Sequence, residues 1–161
     1  MGNCDHPPSK TTEAVLQDRI TKLEQEVSRL QEERRTLRRQ ARLLDLIFEH
    51  SLDAIVLLDR DYNFVRVSHT YARQTQHEVA FFVGKNHFAL YPSDALAEFD
   101  EAKATKSIYR REARPFVYPD HPEWGTTYWD IGLVPILDEE EEVSFFLLTL
   151  KDVTRSVRAQ R

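Results

Sequence analysis

Asp130 is the residue in this sequence best suited to acid–base chemistry. It lies between Tyr128, Trp129 and Ile131, and a carboxylate held among aromatic side chains can be tuned into a general base. The enzyme it would serve is a small-ligand isomerase or hydratase of the cone-shaped α+β type. A lone Asp on an alternating strand is also the ordinary outward residue of a half-buried sheet, and the alternation favours that position. Of the six histidines, His50, His69 and His77 have no Ser or Cys nucleophile motif near them, so no hydrolytic triad can be read. Cys4, His6 and His121 lack any recognised metal-ligand spacing. The expectation is a non-enzyme with no metal site.

These residues must be carried by a fold, and the bulk numbers limit which. With 161 residues, 41% hydrophobic and 30% charged, the chain can build one core plus an extension. A net charge of -5 gives no overall reason to bind nucleic acid or an anionic membrane. Arg34, Arg35, Arg38, Arg39 and Arg42 form a basic cluster, but Glu32 and Glu33 adjoin it, which reads as a solvated, salt-bridged helix face. A single cysteine permits no internal disulfide, no run of about eighteen apolar residues exists, and the N-terminus lacks a signal-peptide stretch. A cytoplasmic location is expected, with neither membrane nor nucleic acid as a partner.

Residues 1–10 read as a disordered leader. Residues 11–48 read as a coiled-coil helix: Leu16, Ile20, Leu23, Val27, Leu30, Arg34, Leu37, Ala41, Leu44 and Phe48 alternate at spacings of four and three. That mean period of 3.5 generates a left-handed supercoil. The leucines occupy d and Ile20 and Val27 occupy a, a combination favouring a parallel dimer, with these ten residues as its interface. Arg19 then faces Glu24 and Glu33 faces Arg38 across g and e' positions with complementary signs. Arg34 at a costs stability, and its long stem can snorkel outward.

After His50 the period becomes strand-like. Asp53–Asp59 and Phe64–Ser68 form a predicted hairpin. Short helices follow over Thr70–Gln76 and Glu78–Phe82, with Gly84 ending the second, and a longer one over Ala95–Ile108. Tyr109–Tyr118, Thr126–Leu137 and Val143–Lys151 complete the strands. The predicted class is α+β: a five-stranded antiparallel sheet with short helices on one face, behind a long N-terminal coiled-coil helix.

The element order resembles the PAS fold over residues 46–154. Ser51–Asp59 resembles its opening strand, Val83-Gly84-Lys85-Asn86-His87-Phe88 its central helical connector, and Lys151-Asp152-Val153-Thr154 its Asp-x-Thr ending. Arg114–Gly125 with Thr127-Tyr128-Trp129-Asp130 and Val134-Pro135-Ile136 is similar to a PAS subgroup common in bacterial multi-domain sensors such as sensor histidine kinases. The resemblance implies a cytosolic sensor that acts through flanking helices and dimers in two-component signal transduction. Its partners would be a second copy of itself, a histidine kinase or another coiled-coil signalling protein, and a small-molecule ligand. A stand-alone adapter for protein–protein interaction is the alternative. Residues 155–161 would begin a C-terminal signalling helix.

The cofactor stays unassigned. Light-sensing relatives need a cysteine after Gly-x-Asn, and here Gly84-Lys85-Asn86 precedes His87, which disfavours cysteinyl-flavin chemistry. Haem relatives use a His from the long helix, and Ala95–Ile108 contains none, leaving His87 as the only substitute. Strand alternation nominates Ile55, Leu57, Trp129, Ile131, Phe146 and Leu148 as ligand-facing, with His87, Phe88 and Phe99 from the helical side. A filled core would give the same pattern. By resemblance, Asp152 and Thr154 couple the last strand to the following helix. Thr154 is also a suitable N-cap.

Overall fold

The computed structural model describes residues 10–160, so residues 1–9 of the expected leader, with Cys4 and His6, lie outside the described residues. Two compact units are present, divided between Leu44 and Asp45. The first unit is helical. Its helix α1 spans Lys10–His50, 41 residues with no Gly or Pro to interrupt it. Side-chain pairs one turn apart support it, among them Lys22–Asp18 at 2.8 Å and Arg29–Glu26 at 2.6 Å. Leu16, Ile20, Leu23, Val27, Leu30, Leu37 and Leu44 are each 43–59% exposed.

In the second unit the last residues of α1 lead into β1 (Ala54–Asp59) and β2 (Phe64–Val67). Then come α2 (His69–Gln74), α3 (Val79–Phe82), α4 (His87–Leu90), α5 (Ala95–Thr105), β3 (Tyr109–Phe116), β4 (Thr127–Leu137), β5 (Val143–Asp152) and α6 (Thr154–Ala159). The strands form one antiparallel sheet in the order β2-β1-β5-β4-β3. The predicted α+β architecture is present, and α4 is an element the sequence reading left out.

Register settles which side chains face the helices. Val56 pairs with Leu148, Leu58 with Phe146, and Leu133 with Leu148; all of these are fully buried or nearly so. Ile55 and Leu57 occupy the other phase and are only half-buried, opposite Thr149 and Leu147 on the outer face. The assignment of Ile55 and Leu57 to the interior is therefore corrected. Ala54–Leu58 is apolar in both phases, so alternation carries no phase information there. The smaller Ala54 and Val56 fill the crowded inner side.

Turn chemistry fixes the remaining geometry. The Asp59 carboxylate accepts hydrogen bonds from the Asp61 and Asn63 backbone N–H groups, both at 2.9 Å, closing the β1–β2 turn. Gly84, at φ +77, supplies the left-handed residue that turns the chain after α3. Helix α5 stops at Thr105, short of the expected Ile108, because Lys106 adopts φ 54 and donates its N–H to the Ala102 carbonyl.

Phe48 is another correction. It is only 7% exposed, with the Arg66 guanidinium 5.5 Å from its ring centroid, while Asp45 pairs with Arg66 at 2.7 Å. The heptad period continues to Phe48, but this side chain is consumed by its own unit and offers no surface to a partner. The other nine interface candidates are exposed or half-exposed along α1.

Candidate functional site

Between the sheet and the short helices lies a small cavity lined by Tyr71, His87, Tyr91, Ser93, Ala95, Phe99, Arg114, Phe116, Tyr118, Trp129, Ile131, Leu148 and Leu150. Each lining group is placed by a local device. Ser68 caps α2 by accepting from the Tyr71 N–H at 3.2 Å, and its hydroxyl also takes the Ile55 N–H at 2.9 Å, locking Tyr71 to the sheet. Asn86 caps α4 through Oδ1, which accepts from Phe88 and Ala89 at 3.1 and 3.2 Å. Its Nδ2 donates to the Asp61 carbonyl at 2.8 Å. His87 is therefore the first residue of a helix tied to the β1–β2 turn. Trp129 donates Nε1–H to the Thr127 hydroxyl at 2.8 Å.

The lining is aromatic and polar together. Tyr91 and Tyr118 meet edge to face at 5.4 Å, and His87 stacks on Phe99 at 6.0 Å. Burial pushes the Tyr71, Tyr91 and Tyr118 hydroxyls above the usual phenol range, so all three stay neutral. Burial pushes His87 down to about 4, which keeps the imidazole neutral near pH 7. Two polar atoms are buried here without a hydrogen-bond partner, Tyr91 Oη and His87 Nδ1. Thr75 is close enough to act on Tyr91, but its single hydroxyl hydrogen is directed at the Tyr71 and Ala72 carbonyls, so it donates none to Tyr91 Oη.

At the rim, Arg114 from β3 is buried and forms ion pairs with Asp94 at 2.5 Å and with Glu98. Glu98 also accepts from the Tyr109 hydroxyl at 2.5 Å. Both carboxylates face the one buried cation, with Arg111 also 4.0 Å from Glu98 and Asp94 open to solvent, so the Arg114 charge at the cavity is fully paired. Its volume is about 50 Å³, room for a few waters and far below the roughly 300–1,000 Å³ of pockets that hold drug-sized ligands. A flavin or haem does not fit this arrangement: the space is too small, and His87 stands where a cysteinyl adduct needs a thiol.

Of the sequence candidates, His87, Phe99, Trp129, Ile131 and Leu148 come together at the cavity. Phe88 and Phe146 instead pack on Tyr62, at 5.4 and 5.3 Å, in the adjoining part of the core. Tyr71, Tyr91, Tyr118 and Arg114 were missed. They stand singly in four separate segments, and only their aromatic or charged character within otherwise short elements marked them. Asp130 points away from the cavity: its Oδ1 accepts from the Ala113 N–H at 2.8 Å at the bulge where Ala113 has φ 47. A carboxylate used to hold a bulge is not poised as a base.

At the end of β5, beside Trp129, Asp152 Oδ1 accepts from the Thr154 N–H at 2.9 Å. The expected capping role of Thr154 is corrected, because Val153 is the N-cap of α6. The Thr154 hydroxyl accepts instead from the Tyr128 N–H of β4 at 2.9 Å, and Arg158 donates to the Trp124 and Thr126 carbonyls.

Comparison with known proteins agrees with this geometry. Three solved structures illustrate the likeness. An RNA-binding light-oxygen-voltage receptor aligns with TM-score 0.62 and 17% identity over 75% of this chain, which spans about a third (35%) of that protein. The PAS domain of an HTR-like protein from Haloarcula marismortui gives 0.56 and 20% over 76% of this chain and 98% of that one. A sensory box sensor histidine kinase from Vibrio cholerae gives 0.51 and 23%, again over 76% and 98%. No curated protein matches the sequence. The family model of the PAS fold matches residues 48–158, and the chain belongs to the PAS-fold family.

Proposed function

We propose that this chain is a signal-sensing or signal-relay module without catalytic activity, acting as a parallel homodimer through α1 in two-component-type signalling in the bacterial cytoplasm. The observation that carries the sensing role is the pair of buried, unpartnered polar atoms, Tyr91 Oη and His87 Nδ1, on residues lining one cavity. Buried polar groups are ordinarily satisfied, so the cavity suits a small neutral molecule able to donate to one and accept from the other. The exposed seam Leu16, Ile20, Leu23, Val27, Leu30, Leu37 and Leu44 supports pairing, because a lone helix this long gains its stability by burying such a stripe. Occupancy would bias α1 pairing or α6 packing toward one of two states, with Asp152 and Thr154 coupling β5 and β4 to α6. A histidine kinase or another coiled-coil protein would receive the output.

The small volume favours a second reading, an adapter that binds proteins and no ligand. Native mass spectrometry with an absorbance spectrum separates the two. A dimer carrying extra mass supports sensing, a clean dimer selects the adapter, and a monomer at micromolar concentration removes the coiled-coil argument.

A further inference from the structure

Outside the cavity, three side chains from two distant segments converge. His77 lies in the turn between α2 and α3, and Asp120 and His121 lie in the connection from β3 to β4. His77 Nε2 is 2.8 Å from Asp120 Oδ2, and one potential ligand atom from each of the three residues lies within 4.8 Å of the others. The side chains of His77 and His121 are only 21% and 19% exposed. Both rings are held by face-to-face stacking, His77 on Phe81 at 3.8 Å and 6° and His121 on Trp124 at 4.0 Å and 7°. A fourth group, Glu123, places Oε1 3.0 Å from His121 Nδ1.

We propose that His77, Asp120 and His121 form a binding site for a divalent transition-metal ion of the zinc class. Zinc bonds to imidazole nitrogen and carboxylate oxygen are about 2.0–2.2 Å long, which puts tetrahedral ligand atoms about 3.4 Å apart. The 2.8 Å pair must open slightly and the longer separations close, both within the reach of side-chain rotation. Two imidazoles and one carboxylate suit Zn²⁺, Co²⁺, Ni²⁺ or Cu²⁺, and disfavour Ca²⁺ and Mg²⁺, which take oxygen ligands. The stacked rings are preorganised, and the Glu123 carboxylate beside His121 makes that imidazole a stronger donor, as carboxylates behind metal-bound histidines do. Sequence spacing gave no sign of the site, because 43 residues separate His77 from Asp120.

The ion would staple the α2–α3 turn to the β3–β4 connection. Tyr118 of the cavity lies in the second of these segments and Tyr71 in α2, just ahead of the first, and the Asp120 charge is felt by Tyr71, Tyr91 and Tyr118. Neutralising Asp120 would therefore change the electrostatics of the cavity from outside it. The competing account is a pair of surface ion pairs, His77 with Asp120 and His121 with Glu123, which hold the side chains together without any ion.

The test is titration of the full chain with Co²⁺, following the intense visible bands of a low-coordinate imidazole complex, and with Zn²⁺, following the melting temperature. A Cys4→Ser, His6→Ala background removes the N-terminal donors. Binding at one ion per chain in that background is expected, weakened roughly tenfold or more by His77→Ala, Asp120→Asn or His121→Ala. His77→Gln serves where the alanine variant is unfolded by circular dichroism. Quenching of Trp124 fluorescence by Cu²⁺, tested against Trp124→Phe, is a second readout. Absence of the cobalt bands and of any zinc-induced shift overturns the proposal in favour of ion pairs alone. Binding that survives both histidine substitutions overturns it equally.

Discussion

Two halves of the same core are built from the same residue types and end in opposite states. Around Tyr62, the rings of Phe88, Phe99 and Phe146 approach at 5.3–5.9 Å, and the one hydroxyl among them donates to Asp100 at 2.7 Å. Around Tyr91 the rings stand at 5.4–6.2 Å, yet its hydroxyl and His87 Nδ1 have no partner and a cavity remains. Aromatic content therefore does not decide whether a region is filler or a site. What separates them is whether the polar tips of the amphipathic rings have somewhere to go.

The largest test of that contrast removes bulk from the satisfied half. Phe146→Ala, at a fully buried position, should cost about 3–5 kcal/mol in urea unfolding. A loss below about 1 kcal/mol would mean that half is not close-packed either. The next test is pH. His87 is pushed down to about 4 from its ordinary 6.5, so between these values the unfolded chain binds the proton that the folded chain refuses. The stability from His87 is complete above about pH 6.5 and falls as pH drops toward 4, by about 3 kcal/mol at most. His87→Phe should flatten that part of the stability curve, and an unchanged slope would sink the assignment.

Smaller effects sharpen the same comparison. Arg114→Met leaves Glu98 with the Tyr109 hydroxyl and the more distant Arg111 and should cost about 2 kcal/mol, less than a fully buried pair because Asp94 is solvated. Tyr62→Phe should cost about 1 kcal/mol for the bond to Asp100. Tyr91→Phe, which deletes an unsatisfied hydroxyl, should change stability by less than about 0.5 kcal/mol or raise it. If Tyr62→Phe and Tyr91→Phe prove equal, the two halves are alike and the cavity loses its special status.

Legibility in the sequence followed the same divide. The α1 repeat, the succession of strands and helices, and the inward residues of β5 were readable because each rests on a periodic signal repeated along the chain. Tyr71, Tyr91, Tyr118 and Arg114 were not, since each sits alone in its own segment and the tertiary fold, not spacing, brings them together. Ile55 and Leu57 failed for a third reason, a strand apolar in both phases. Phe48 failed because a heptad position cannot show which of two surfaces will claim it.

The fastening of α6 has a mechanical consequence. Its first residue is bonded to Tyr128, and its last turn to the carbonyls of Trp124 and Thr126. A rod of six residues pinned near both ends to one stretch of chain cannot swing on its own; it turns as that stretch turns. Although α6 follows β5 along the chain, it is geared to the entrance of β4, and a torque on either is handed to the other with little slack.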